Sequence, residues 1–423
     1  MKPSSLAGHI CELLEILLHD PRPADHLIDV FFRQRRYLGS HDRRALAESA
    51  YGILRHRRLL QTLIAGVDEQ KAFAPAWLLA AYKIHLEKRP SESLHELALP
   101  LSFQQIKKLA DQNAAEIGRN HPGVRCSFPD WLVAALQQQF GAESEVLLAA
   151  LNQPPPLTLR VNTLKATREV CLRELQQRGY ECAPTALAPA GIQLHKRTNL
   201  FTLDLFREGW FEVQDEGSQL IALLLDPKPN WRVADMCAGG GGKTLHLASL
   251  MKNRGEIFAF DVSAPRLENL KKRARRSGIH NVRVQALKPN ETPQNLHGQM
   301  DAILIDAPCS GTGVLRRNPD AKWKITAAMV NEMAAKQRQI LRAYSPLLKL
   351  GGRLVYATCS LLAEENAQIV EDFLAKHSEF RAGAAAAILQ RYDLAKLAEG
   401  NQMILLPHRH GCDGFFAAVM ERV

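Results

Sequence analysis

The stretch Asp235-Met-Cys-Ala-Gly-Gly-Gly-Gly-Lys-Thr244 (DMCAGGGGKT) holds the densest glycine run of the chain and decides how the fold is read. Its Gly-Lys-Thr ending invites comparison with a phosphate-binding P-loop, which needs Gly-x-x-x-x-Gly-Lys-Thr. Counted back from Gly242, the first glycine of that pattern falls on Cys237, so the phosphate reading fails. What remains is a glycine turn between a strand-like run, WRVADM, and a helix-like run, KTLHLASLMK. Glycines at such a turn permit positive φ and close backbone approach to a ligand.

Downstream of the turn the alternation continues. GEIFAFD, VRVQAL, MDAILIDAPC, GGRLVYATCS and DGFFAAVM read as strands; APRLENLKKRARRSG, ITAAMVNEMAAKQRQILRAYSPLLK and AEENAQIVEDFLAKH read as helices. Such a pattern predicts a mostly parallel sheet with helices on both faces. Ligands of these sheets bind at the carboxyl ends of the strands. The strand after the glycine turn ends at Asp261, where a carboxylate can accept hydrogen bonds from both ribose hydroxyls. An NAD domain would show Gly-x-Gly-x-x-Gly, which the loop fits only loosely. A cofactor without a pyrophosphate, such as S-adenosylmethionine, suits the loop and Asp261 better.

Two further strand ends, DAPCSGTG and ATCS, each carry a cysteine: Cys309 and Cys359. Consecutive parallel strands joined by one helix tend to be neighbours, so both thiols are expected at the cofactor end of the sheet. Carbon 5 of cytosine is a poor nucleophile until a thiolate adds at carbon 6 and makes it enamine-like. That is covalent catalysis dividing one hard step into two, and the attacking sulfur must be a thiolate. Asp306, on the loop of Cys309, is placed to hydrogen-bond the amino and N3 protons of the base. A single cysteine would more often be a small buried hydrophobe; the pair beside a cofactor loop argues for chemistry.

Upstream, residues 126–205 read as a linker helix and a small α/β module: three prolines at 154–156 break the chain, LTLRVNT alternates, and ATREVCLRELQQRG reads as a helix. Residues 1–125 read as helical, with apolar spacing near three and four. They carry Arg33, Arg35, Arg36, Arg43, Arg44, Arg55, Arg57 and Arg58, which either form a solvated helix face or lie against RNA. In the whole chain of 423 residues Lys+Arg number 54 against 44 Asp+Glu, an excess that suits a polyanionic partner. Eight cysteines without a Cys-x-x-Cys pair make no disulfide framework. His408, His410 and Cys412 are too closely spaced to argue for a metal, and none is expected. There is no apolar run of membrane-spanning length and no signal-peptide pattern, so a cytoplasmic monomer without membrane contact is expected.

Taken together, DMCAGGGGKT, DAPCSGTG followed by VLRRNPD and KW, ATCSLLAEEN, GWFEVQDEGSQL and DGFFAA resemble the RNA 5-methylcytosine methyltransferases of the NOL1/NOP2/Sun family, in the same order along residues 150–423. The resemblance implies a Rossmann-like class I S-adenosylmethionine-dependent methyltransferase domain over residues 206–423. It further implies Cys359 as nucleophile and Cys309 as the thiol that assists product release. The residues alone leave that order open, since in DNA cytosine methyltransferases the Pro-Cys cysteine attacks. By the same resemblance Cys237, Ala238, Gly239, Gly240, Gly241, Gly242, Lys243, Asp261 and Asp306 line the cofactor site, with Lys243 close to the reacting centre. Arg160 and Asn162 of RVNTLK become candidates for RNA contact in an RNA-binding module. DRRALAESAYGILRHRRLL is similar to the NusB-type helical domain of bacterial methyltransferases acting on 16S ribosomal RNA, which implies that RNA as the substrate.

Two departures from the family pattern stand out. Gly239 and Gly240 replace an Ala-Pro pair, and losing the proline loosens the loop in the unfolded chain. An acidic residue that the family carries after its third strand is missing: Leu287 or Lys288 stands there, with Asn290 and Glu291 as the nearby candidates to replace it. Weaker cofactor binding is the expected consequence. Two classes of function therefore compete: an active RNA cytosine-C5 methyltransferase, and an RNA-binding or ribosome-assembly factor whose cofactor site has eroded.

Overall fold

Short runs rich in Val, Ile, Leu and Ala form the central strands, as expected for strands covered on both faces. A computed structural model describes every residue of the chain except 120, 197, 289 and 290. Its strands are β1 (Leu157–Val161), β2 (Cys182–Pro184), β3 (Gly191–Leu194), β4 (Phe211–Val213), β5 (Arg232–Asp235), β6 (Glu256–Asp261) and β7 (Val282–Ala286), then β8 (Met300–Asp306), β9 (Leu348–Thr358), β10 (Phe380–Ala382), β11 (Ala398–Glu399), β12 (Gln402–Leu405) and β13 (Phe415–Arg422).

In the larger sheet β7, β6, β5, β8 and β9 lie side by side in that order and run parallel. β13 pairs with β9 in the antiparallel sense, and β12, β11 and β10 extend that edge. Alternate residues face opposite layers. Val233, Ile257, Ala302, Leu304 and Val355 pack with Leu220, Leu224, Leu245 and Leu270. Ala234, Phe258, Ile303, Ile305 and Tyr356 pack with Leu341, Ile369 and Phe373 from the other side. The strand order reverses at β5, whose neighbours are β6 and β8, so the glycine turn leaves the sheet at its topological switch point. This is the Rossmann-like methyltransferase arrangement expected from the sequence. β10 to β12 were not among the expected strands; at two to four residues they are too short to show a period.

The small module is an antiparallel sheet, ordered β2-β3-β1-β4, with the helix Arg168–Gln177 sharing its apolar core. The chain divides into two compact units, Met1–Pro154 with Leu315–Ala327, and Pro155–Val314 with Ala328–Val423. The helices Asp130–Phe140 and Ser144–Leu151 join the N-terminal helical unit, and the small sheet shares a unit with the larger one. The motif segment around Lys322 and Trp323 belongs to the helical unit, where polar bonds rather than a hydrophobic period hold it. Lys322 Nζ donates to Arg55 O (2.7 Å) and Asn152 Oδ1 (2.9 Å), and Trp323 Nε1 donates to Leu54 O (2.7 Å).

The helical unit forms because its apolar stripes close on one another: Leu13, Leu14, Ile53, Leu63, Leu78 and Leu79 are fully buried in one cluster. Local chemistry sets its ends too. Ser102 and Gln105 make a reciprocal capping box at the start of Phe103–Ala110. Most of the arginines expected either on a solvated helix face or against RNA have partners within the unit. Arg35 pairs with Glu12, Arg44 with Glu48, Arg33 with Asp29 and Arg58 with Asp130, while Arg55 is buried and donates to Arg316 O.

Within the second unit one carboxylate holds the small sheet to the methyltransferase helices. Glu212 of β4 is buried, faces Arg160 across the β1–β4 register, and accepts Nη2 of Arg273 (3.0 Å) and a bond from Arg276, both on the helix Ala264–Ser277. Burial works to raise its pKa, but Arg273, Arg276 and Arg160 outweigh that and hold the carboxyl below the usual range. Removing one member leaves buried charge uncompensated, so Glu212→Ala should cost about 3–5 kcal/mol in urea melts of the full chain. Because the folded carboxyl is depressed, its contribution is complete above the unfolded pKa and is lost as pH falls through the folded one. The stability gap between wild type and Glu212→Gln should therefore narrow below about pH 4.

Candidate active site

The turn after β5 is built by its glycines. Gly241 N–H donates to Ala238 O (2.9 Å), closing a turn in which Gly239 has φ +54° and Gly241 φ +86°. A Cβ on Gly241 would meet Leu270 at 2.5 Å, whereas one on Gly239 would meet nothing within 4 Å. The loop thus packs against the next helix at Gly241 and borders open space at Gly239. Asp261 at the end of β6 accepts Gly239 N–H on Oδ2 (2.8 Å) and Ser263 N–H on Oδ1 (2.8 Å), which fixes the carboxylate beside the turn. Arg273, already held by Glu212, donates to Gly240 O (2.5 Å). The loop is positioned from behind by a cation rather than by the proline its sequence lacks.

Lys243, first in line after the glycines, donates from Nζ to Asp306 Oδ2 (2.7 Å) at the end of β8. Burial alone would lower its pKa; Asp306, with Cys359 and Asp235, raises it above the ordinary value, so the ammonium stays charged. Asp235 itself, the last residue of β5, is buried and accepts Thr244 Oγ1 on Oδ2 (2.7 Å), while its Oδ1 has no hydrogen-bond partner. Burial pushes its carboxyl up to about 7.

Parallel pairing of β8 with β9 places Asp306 opposite Ala357, and Ala307 N–H donates to Ala357 O (2.8 Å). The loops leaving these strands bring Cys309 Sγ to 3.3 Å from Cys359 Sγ, both half-buried. The hydrogen bond to Cys359, then burial, raises the Cys309 thiol well above its usual range, so Cys309 keeps its proton. Burial also raises Cys237, leaving it an unreactive thiol at the foot of the loop.

All the expected cofactor and catalytic positions thus converge at one end of the larger sheet. The two expected RNA contacts do not join them. Arg160 is 2% exposed and Asn162 4% exposed. Asn162 Nδ2 donates to Gly209 O and Ser277 O, both 2.9 Å, so its amide serves the junction between the sheets. Arg273 and Arg276 are engaged by Gly240 O and Glu212. Leu287 lies in an apolar cluster with Met236, Phe258 and Phe260, and Glu291 caps Lys288 N–H (2.7 Å); Asn290 lies outside the described residues. Asp235 and Arg273 are the site residues missed by the sequence reading. Asp235 carried a signal, a carboxylate at the end of the strand before the glycines; Arg273 did not. Among the described residues no group of three or more His, Cys, Asp and Glu side chains could hold a metal ion. No helix among them is long and apolar enough to cross a membrane.

The residues fit S-adenosylmethionine. The loop at Gly239 opens on free space, Asp261 stands beside it, and Asp235 Oδ1 is left without a partner.

Two families match the chain: one described as 16S rRNA methyltransferase RsmB/F, over residues 222–421, and an RsmF/B-like ferredoxin-like domain, over residues 128–200. A Synechocystis protein named "Probable ribosomal RNA small subunit methyltransferase B" is 33% identical over 97% of this chain and 99% of its own length. Among solved structures, PH0851 superposes with a TM-score of 0.80 at 28% identity, covering 100% of this chain and 99% of its own. NSun6 from Pyrococcus horikoshii, solved with SFG, shares the fold at a TM-score of 0.63 and 24% identity, covering 70% of this chain and 98% of its own.

The geometry of the turn separates its glycines. Gly241→Ala combines a left-handed φ with a clash, and should destabilise by about 2–4 kcal/mol. Gly239→Ala carries only the backbone strain, about 1–2 kcal/mol. Thermal or urea melts of the two variants check the order.

Proposed function

The chain belongs to the 16S ribosomal RNA methyltransferase B/F family of S-adenosylmethionine-dependent RNA methyltransferases, and from that premise we propose that it methylates carbon 5 of a cytosine in 16S ribosomal RNA, with Cys359 as nucleophile. The observation that carries this reading is the 3.3 Å approach of the two sulfurs beside the Lys243–Asp306 pair.

In the proposed reaction the Cys359 sulfur adds to carbon 6 of the ring, and carbon 5 becomes nucleophilic. Bound S-adenosylmethionine supplies an electrophilic methyl group. The turn Cys237–Lys243 and Asp261 would hold it, the carboxylate taking the ribose hydroxyls and the glycines letting the main chain approach. Asp306 keeps one oxygen on Lys243 and turns the other to the base, accepting its amino proton and the proton that N3 takes up from solvent as the sulfur adds; that stabilises the charged, more electrophilic ring. Lys243 fixes Asp306 in that orientation. Once carbon 5 is methylated its proton passes to a solvent water, the freed electron pair re-forms the carbon 5–carbon 6 double bond, the sulfur–carbon 6 bond breaks, and Cys359 leaves as thiolate. Cys309, carrying a proton 3.3 Å away, assists this release by stabilising the departing sulfur.

A second reading, an assembly factor with an eroded cofactor site, draws on Leu287 in its apolar cluster and on the glycines that replace Ala-Pro. The preserved thiol pair, Lys243 and Asp306 favour the enzyme. Incubation with cofactor and deproteinised ribosomal RNA separates the roles of the sulfurs. Cys309→Ala should accumulate a covalent protein–RNA adduct visible on denaturing gels, and Cys359→Ala should form none. The opposite pattern reverses the assignment.

A further inference from the structure

Glu365 takes no part in the steps above, yet it is fully buried and its carboxylate meets four donors. Oε1 accepts Ser310 N–H (2.8 Å) and Gln337 Nε2 (3.1 Å); Oε2 accepts the hydroxyls of Ser310 and Ser360, both at 2.5 Å. A buried carboxylate is costly unless it is satisfied in this way. Its donors are not scattered: Ser310 follows Cys309, and Ser360 follows Cys359. The residue is held through its main chain as well, and Gln337 reaches the Cys309 loop a second time. Tyr356 Oη donates to Glu365 O (2.7 Å), and Gln337 Nε2 also donates to Pro308 O (2.9 Å). The neighbouring Asn366 donates from Nδ2 to Ser360 O (2.9 Å) and accepts Thr358 Oγ1 (2.5 Å).

The parallel pairing of β8 and β9 ends at Asp306 and Ala357, three and two residues short of the sulfurs. Beyond it the link between the loops is made by side chains, together with Gly313 N–H on Cys359 O (2.9 Å). Glu365 bonds the residue after each thiol, and the two hydroxyls it accepts, Ser310 Oγ and Ser360 Oγ, lie 3.3 Å apart.

We propose that Glu365 is a positioning residue that sets the separation and mutual orientation of the Cys309 and Cys359 sulfurs, and thereby governs release of Cys359 from the methylated base, without touching RNA or cofactor. The proposal rests on the reading of these thiols as release partner and nucleophile. Glu365→Gln keeps the shape but replaces one acceptor oxygen by a donor facing hydroxyl groups, so the loops lose the acceptor they share and keep direct bonds such as Ser310–Ser360, Leu361–Thr312 and Gly313–Cys359. Displacing reacting groups by about 1 Å can cost on the order of 100-fold in rate.

The test uses the full-length protein, ribosomal RNA and cofactor. Glu365→Gln, folded by its melting curve, should lower kcat by about 10–100-fold with KM for RNA unchanged, and should accumulate adduct to a level between wild type and Cys309→Ala. Added to Cys309→Ala, it should slow release no further, because both changes act on the same step. An unchanged kcat, or a release defect that adds to that of Cys309→Ala, overturns the proposal. Should Glu365→Gln fail to fold, Ser310→Ala and Ser360→Ala carry the test: each should show the same kcat-specific loss, smaller in size, and no loss in either is contradictory. Absence of any adduct in Cys309→Ala itself would instead sink the underlying reading of the thiols, whatever Glu365 does.

Discussion

The parallel register between β8 and β9 is the constraint on which the site depends. It sets Asp306 opposite Ala357, and the two loops that follow carry one sulfur each to the same point. Everything chemical is arranged at that edge: the turn from β5 delivers Lys243 to Asp306, β6 ends in Asp261, and the loops of Cys309 and Cys359 close the far side. Neighbouring parallel strands supply this convergence without any contribution from loop length, which explains how residues 50 and 63 positions apart meet.

Buried charge does the fine adjustment. Polar groups are taken out of water only where partners meet them, and here each such group joins two pieces of chain. Glu212 ties the small sheet to the helix Ala264–Ser277, and through Arg273 reaches the carbonyl of Gly240. Lys243 and Asp306 link the glycine turn to β8; Glu365 links the two thiol loops. The substituted turn, lacking the family's proline, relies on Arg273 for part of its order. Such networks specify one arrangement because a half-satisfied member is costly.

Much of this was legible in the amino-acid sequence. The alternating pattern from 231 onward gave the parallel sheet, since strands buried on both faces write themselves as apolar runs, and the carboxyl-end rule then pointed to Asp261, Asp306, Cys309 and Cys359, while the resemblance implied Lys243. The resemblance ordered the two thiols, which spacing alone left open. What escaped the sequence depends on distant partners. Arg160 and Asn162 sit in an alternating strand and look available, but β4 and the helix Ala264–Ser277 cover them. The arginines of the helical unit read either as a solvated face or as one against RNA, and the acidic neighbours and carbonyls that meet most of them do not show in the spacing. Residues 315–327 follow the Cys309 loop directly yet fold with the helical unit, a consequence of polar anchoring by Lys322 and Trp323 that no periodicity records.

The account stands or falls on which atom of the RNA receives the methyl group. Nucleoside analysis of 16S ribosomal RNA, digested after incubation with the wild-type protein and labelled S-adenosylmethionine, reads this directly. The account predicts label in 5-methylcytidine. Label on an exocyclic nitrogen or a ribose hydroxyl, neither of which needs a thiol nucleophile, would contradict it.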